Sequence, residues 1–278
     1  RFVTGGDMMH KRTYLDAMNQ MAAKLDPDFA LLGGDLAYAN AKDSKRWDDW
    51  MESWMLNAVR TDGCSIPMVV AIGNHEVDGG LGKLPKDAKY FYSLFRLPRG
   101  RSFYNMDFGS YMSILVLDSD HTVRVENQTR WLNASLSARR SIPFVFPIYH
   151  KPAYGTAKPP SGTKDCSKDP LAKRIIKHWC PLFDKYRVTA IFENDHHTYK
   201  RTKLLKGNKV DPDGRLYLGD GCWGVDTRKV PKTREVWYLA KAESRRHLIC
   251  VTIEGKKVLF QAIDAKGKIF DRYTIRKP

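Results

Sequence analysis

Two hydrophobic periods alternate along the first two-thirds of the chain, and the shorter one takes over in the last third. Phe2-Val3-Thr4 predicts a strand that runs out into Gly5-Gly6-Asp7. Tyr14, Leu15, Met18, Met21, Ala22 and Leu25 recur at the spacing of one helix face, and Asp26-Pro27 ends that helix. Phe29-Ala30-Leu31-Leu32 is a short buried strand that stops at Gly33-Gly34-Asp35. Trp47, Trp50, Met51, Trp54 and Met55 mark a second amphipathic helix, whose rings read as core packing. Pro67 to Ile72 is the next strand, ending at Gly73-Asn74-His75-Glu76. Strands follow from Tyr111 to Leu117 and from Phe144 to Tyr149, with a helix around Trp131 and Leu132 between them. A single helix from Leu171 to Tyr186 leads into the strand Val188 to Phe192.

Segments near 215–220, 235–242, 247–254, 257–263 and 268–275 then read as strands, separated by turns such as Glu254-Gly255 and Lys266-Gly267. An α/β opening and a strand-rich close predict two β-sheets packed face to face with helices on the outer faces. No linker, repeat or low-complexity block interrupts residues 1–278, so one domain is expected. A chain seldom starts on its first core strand, so an upstream segment is expected to have been removed.

Composition narrows the function. No apolar run approaches the ~18 residues a bilayer span requires, and 42% apolar with 28% charged residues is ordinary for a folded domain. Lys and Arg total 47 against 31 Asp and Glu, a formal charge of +16, which favours anionic partners such as phosphoesters, nucleic acid or an acidic surface. Cys64, Cys166, Cys180, Cys222 and Cys250 form no CxxC, which argues against a structural zinc knuckle. Cys166 and Cys180 are close enough in sequence to pair if the protein is exported. Asn127-Gln128-Thr129 and Asn133-Ala134-Ser135 are glycosylation sequons, meaningful only in a secreted eukaryotic protein.

The chemistry-bearing residues gather where strands end: Gly6-Asp7, Gly34-Asp35-Leu36-Ala37-Tyr38, Gly73-Asn74-His75-Glu76, Tyr149-His150-Lys151-Pro152 and Asn194-Asp195-His196-His197-Thr198-Tyr199. Open α/β sheets bind ligands where strands run out into loops, so these junctions can converge. Singly, each has a plain explanation: Gly-Asp is a turn, and Asn-His-Glu can cap a helix. Together they supply carboxylate, phenolate, amide oxygen and imidazole, a donor set for Fe(III), Fe(II), Mn(II) or Zn(II) and not for a thiolate site.

In this order the motifs resemble the calcineurin-like metallophosphoesterases, and within them the purple acid phosphatases. The resemblance runs from Asp7 to the Gly219-Asp220-Gly221 turn and the closing strands. Many metallophosphoesterases begin Asp-x-His; here Met9 fills the His slot, and Tyr38 stands where the purple enzymes place a phenolate ligand. The resemblance implies a four-layer α/β/β/α sandwich and two metal ions, Fe(III) plus a divalent Fe, Mn or Zn. Asp7, Tyr38 and His197 would hold the ferric ion, Asp35 would bridge, and Asn74 and His150 would hold the second ion. His75 would protonate the leaving group or stabilise the transition state, and a metal-bound hydroxide would attack phosphorus in line. Secreted or periplasmic placement is likewise implied.

The family's closing motif, Gly-His-x-His-x-Tyr, is altered to Asn194-Asp195-His196-His197-Thr198-Tyr199. Alignment on Tyr199 puts Asp195 in the first His slot, and a one-residue bulge would present His196 instead. The extended register favours Asp195, because Asp195 and His197 then point the same way. The stretch Tyr154-Gly155-Thr156-Ala157-Lys158 lacks the outer histidines of plant-type enzymes. His10, three residues after Asp7, is either a phosphate-binding group or a solvated helix-start histidine.

The reading that leads is a phosphomonoesterase acting on an anionic phosphoester, with a phosphodiesterase on the same core as the alternative. A polyanion- or nucleic-acid-binding protein with a vestigial site is less favoured. The basic runs Lys200-Arg201-Lys203-Lys206-Lys209 and Arg228-Lys229-Lys232-Arg234 have no interleaved aromatic platform.

Overall fold

A computed structural model describes residues 1–277. Strands β1 (Phe2–Gly5), β2 (Phe29–Leu32) and β3 (Met68–Val70) run parallel, joined by crossover helices α1 (Arg12–Lys24) and α2 (Ser44–Asn57). A short helix α3 (Lys89–Leu94) precedes the antiparallel pair β4 (Tyr104–Phe108) and β5 (Met112–Val116). Helix α4 (Val125–Ala138) crosses to β6 (Phe144–Ile148), and α5 (Pro170–His178) with α6 (Cys180–Lys185) to β7 (Ala190–Glu193), all parallel to β5. Then come β8 (Tyr199–Thr202), the ribbon β9 (Leu205–Lys206) and β10 (Lys209–Val210), β11 (Leu216–Gly219) and β12 (Leu239–Glu243). The chain closes on an antiparallel meander of β13 (His247–Glu254), β14 (Lys257–Asp264) and β15 (Ile269–Arg276).

These strands make a six-stranded sheet ordered β15-β14-β13-β1-β2-β3 and a seven-stranded sheet ordered β12-β8-β11-β7-β6-β5-β4, both mixed. Side-chain alternation explains how they stack. On β6, Phe144, Phe146 and Ile148 enter the core between the sheets, while Val145 faces the helices with Leu115 and Ile191 of the neighbouring strands. Phe2 of the first sheet meets Phe146 and Phe192 of the second edge to face, at 5.6 and 6.1 Å. Leu132, Leu136, Ile175, Trp179 and Phe183 bury the outer face of the second sheet. The expected two-sheet α/β architecture is therefore what forms.

Four details differ from the sequence expectation. The helix foreseen from Leu171 to Tyr186 is two, because Pro181 has no N–H to continue the ladder and the chain turns at Trp179. The strand foreseen at 235–242 starts only at Leu239, after a 3₁₀ turn at Thr233–Glu235. Strands β4 and β8 were not foreseen, since Tyr-Asn-Met-Asp-Phe and Tyr-Lys-Arg-Thr lack clean alternation. Cys166 and Cys180 do not pair; both are buried free thiols, as are Cys222 and Cys250. No helix among the described residues is long and apolar enough to cross a membrane.

Candidate metal centre

The loops that leave the C-terminal ends of β1, β2, β3, β6 and β7 meet at one end of the sandwich. Their backbone is unusual there. Asp7, Asp35, Tyr38, Asp195 and His197 have φ of 57°, 53°, 55°, 75° and 55°, a left-handed region that few non-glycine residues occupy. Strain of this kind persists where surrounding structure imposes it, and it clusters at functional sites. Two glycines make room. A Cβ on Gly221 (φ 59°) would lie 1.7 Å from Asp7 Oδ2, and one on Gly73 would lie 2.3 Å from Asp35 Oδ1.

Buried oxygen and nitrogen donors converge within this frame. Ligand atoms of Asp7, Asp35 and His150 all lie within 4.8 Å of one another. The Tyr38 hydroxyl lies 3.1 Å from Asp7 Oδ1 and 3.0 Å from His197 Nε2, and His197 Nε2 lies 3.1 Å from Asp7 Oδ1. The second Asp7 oxygen accepts the Asp195 amide at 2.8 Å. Burial first, then the carboxylates of Asp7 and Asp35, push the Tyr38 phenol well above its ordinary pKa. A phenolate here therefore calls for a cation beside it.

On the other side of Asp35, His150 Nδ1 meets the Gly33 carbonyl at 2.9 Å, which aims Nε2 at Asp35 Oδ2, 3.1 Å away. His150 Nε2 and Asn74 Oδ1 are both buried without a hydrogen-bond partner. Buried polar atoms left without a partner fit a bound metal ion, and His150 Nε2 lies beside the Asp35 carboxylate. Asp195 also faces this space, with Oδ1 3.6 Å from His150 Nε2. The same oxygen accepts from Lys151 Nζ at 2.6 Å and Lys158 Nζ at 2.9 Å. Burial alone would raise the Asp195 carboxyl, but Lys151, His150 and Lys158 hold it well below its usual range.

His196 turns away. Its Nδ1 accepts the amides of Thr156 and Ala157 at 2.9 and 3.1 Å, and burial lowers its pKa well below the ordinary value. His75 stacks on the Tyr38 ring at 4.2 Å, with Nε2 3.9 Å from Asp35 Oδ2, and its ring is one-third exposed on the open side. His10 stands edge-on to Tyr38 and His197 at 4.9 and 5.2 Å, its Nδ1 near Asp226. It is a rim residue that lies against the donor set.

Comparison with known proteins gives this geometry a lineage. The calcineurin-like phosphoesterase family matches residues 6–199, which include every loop just described. The chain belongs to that family. Purple acid phosphatase 21 of Arabidopsis thaliana is 25% identical over 230 residues, 79% of this chain and 49% of that protein. An uncharacterized protein of Mycobacterium tuberculosis is 31% identical over 208 residues, 66% of this chain and 36% of its own length. Among solved structures, the purple acid phosphatase PPD1 from yellow lupin seeds shares the fold with a TM-score of 0.80 at 18% identity, covering 99% of this chain and 53% of that one. The branch is that of the purple acid phosphatases. This chain spans about a third to a half of the curated relatives it matches.

Several residues that brace this phosphoesterase centre escaped the sequence reading. Glu76 is buried, and its carboxylate accepts the amides of Asp35, Leu36 and Gly73 at 2.7, 2.8 and 2.8 Å. It ties the β2 loop to the β3 loop, so the capping role open to Asn-His-Glu coexists with its site role. Behind the β7 loop, fully buried Lys200 pairs with Glu193 and, at 3.0 Å, with Asp220. Thr156 Oγ1 donates to Asp220, which fixes the start of the loop that carries Lys158. Glu193 closing an apolar strand was the available signal, since a buried carboxylate needs a partner.

Proposed function

We propose that this chain is the catalytic unit of a dinuclear phosphomonoesterase of purple acid phosphatase type. The observation that carries the reading is that Asp7 gathers with Tyr38 and His197 and also with Asp35 and the orphaned His150 Nε2. Asp7, Tyr38 and His197 would hold Fe(III), Asp35 would be available to both ions, and Asn74, His150 and Asp195 would hold a divalent Fe, Mn or Zn. When bound, the cations supply Lewis-acid neutralisation of the phosphoryl group and activation of water.

The chain's own residues supply the rest. His75, on the open side, donates a proton to the leaving oxygen. Lys151 and Lys158 bring two ammonium groups to the rim of a cavity of about 270 Å³ that also presents Leu81, Leu171 and His196. A monoester dianion gains more from that pair than a diester monoanion does, and this favours monoester hydrolysis. Exported placement, as in the family resemblance, belongs to the same reading.

The test couples metal analysis to a phosphoester panel. Two ions per chain, activity lost on chelation, and a higher kcat/KM for monoesters than for diesters are expected. Full activity in metal-stripped protein would overturn the proposal, and a preference for diesters would overturn its substrate class.

A further inference from the structure

The parallel strands of the second sheet have two ends, and the candidate metal centre uses only the C-terminal one. At the opposite end, a strand length of roughly 15–20 Å away, lies a cavity of about 710 Å³. Its walls are the turn before β6, the turn between α6 and β7, the turn before β11 and the end of β15. Among the described residues, Arg140, Lys185, Arg187, Arg215, Arg276 and Lys277 line it, against one carboxylate, Asp213.

Six cations gathered around one space repel each other unless something neutralises them. Among the described residues none of the six forms an ion pair with a carboxylate. Their hydrogen bonds go to backbone carbonyls: Arg215 Nη1 donates to Val188 O at 3.1 Å, and Lys277 Nζ lies 3.5 Å from Arg187 O. Arg215 Nε is buried with no partner. Asp184 is near enough to act on Arg215, yet its Oδ2 accepts the Gly207 amide at 2.9 Å. Burial, then Arg215 and Arg187, press Lys277 down to about 8. Arg187 itself sits at φ 50°, a conformation costly for arginine.

We propose that this cavity binds a small anion carrying several linked phosphate groups, at a site separate from the metal centre. Charge and size select the class. The lining carries a net charge of +5 (six cations less Asp213), whereas one orthophosphate brings at most two negative charges at neutral pH. The volume falls in the usual range for small-molecule sites and leaves room for a chain of phosphates. Arginine forks grip such oxygens in pairs, and four of the six cations here are arginines.

Calorimetric titration with tripolyphosphate tests this, comparing wild type with two double variants. R140E/R276E reverses two exposed cations of the cavity. K24E/K266E makes the same charge change on exposed lysines outside it. The metal centre is common to all three proteins, so a difference between them reports the cavity. R140E/R276E should weaken binding about tenfold or more, with aryl phosphate turnover unchanged and the melting temperature not lowered; K24E/K266E should weaken it less than twofold. R140A/R276A, which adds no negative charge, should lose a smaller, several-fold share. Equal losses in the two charge-reversed proteins would mean a diffuse charge effect and overturn the proposal. So would unchanged binding in R140E/R276E, or orthophosphate binding wild type as tightly as tripolyphosphate.

Discussion

The β7 loop offers two neighbouring candidates for the second ion, and their surroundings predict opposite outcomes on mutation. Asp195 Oδ1 faces His150 Nε2 at 3.6 Å and carries the ammonium groups of Lys151 and Lys158. Asp195→Asn, which tolerates the left-handed backbone at φ 75°, removes that charge and leaves both lysines facing the cation position. Two unit charges about 4 Å apart repel by about 4 kcal/mol at an effective dielectric of 20. Even a third of that is tenfold in affinity, so the divalent ion should bind at least ~10-fold more weakly, with ferric ion retained. His196 instead accepts two backbone amides of the loop that carries Lys158. His196→Ala orphans both; at about 1–3 kcal/mol per buried donor, a destabilisation of about 2–6 kcal/mol should follow with metal stoichiometry intact. Metal content after dialysis against buffered Mn(II), beside urea denaturation of each variant, separates the cases. If His196→Ala loses the divalent ion while Asp195→Asn keeps it, the loop is read one residue out of register.

Three further outcomes follow from the same geometry. Tyr38→Phe deletes only the hydroxyl that sits 3.0–3.1 Å from His197 and Asp7, so a visible charge-transfer band in the iron-loaded protein should vanish while the fold persists; a colourless iron-loaded wild type would refute phenolate ligation. His75→Ala should lower turnover by roughly 10²–10⁴-fold with metal content unchanged, and aryl esters should suffer less than alkyl esters, whose leaving groups need the proton more. His247, walled by Tyr199 and Phe270, is pressed down to about 4 by burial. It stays neutral in the fold while the unfolded chain takes up a proton below pH ~6.5, so stability should fall as pH drops from ~6.5 towards 4, by roughly 3 kcal/mol in all. His247→Gln should flatten that part of a urea-midpoint profile, and parallel wild-type and mutant profiles would disprove the assignment.

Much of the sandwich was legible because its central strands are buried on both faces. Phe-Val-Phe-Pro-Ile on β6 has no choice but a core position, and the loops beyond such strands carry the chemistry. Periodicity failed where burial is supplied by pairing and not by hydrophobicity. Tyr-Lys-Arg-Thr on β8 reads as a solvated basic run, yet Lys200 is fully buried against Glu193 and Asp220, and Arg201 Nε pairs with Asp271 at 2.7 Å. Two of the five cations in that run are therefore consumed internally, which weakens its reading as a polyanion-binding face.

The formal charge of +16 is thus a sum over groups with different fates. Some cations, like Lys200, compensate carboxylates that the core could not otherwise hold. Lys151 and Lys158 gather at Asp195, beside the proposed metal site. Others, at the far end of β6, β7 and β11, share a cavity with one acid. Only the tertiary fold sorts them, because pairing joins residues far apart in the sequence, such as Arg201 and Asp271, 70 positions apart. Backbone strain at the centre is equally invisible in the sequence: nothing in Asp7, Asp35, Tyr38, Asp195 or His197 as residue types announces a positive φ. These residues reach the donor cluster from the loops after β1, β2 and β7, and the amide clamp of Glu76 and the close approach of Gly221 to Asp7 hold that arrangement. The strained loops and their braces are thus one device, which turns several ordinary strand ends into a single concave set of ligands.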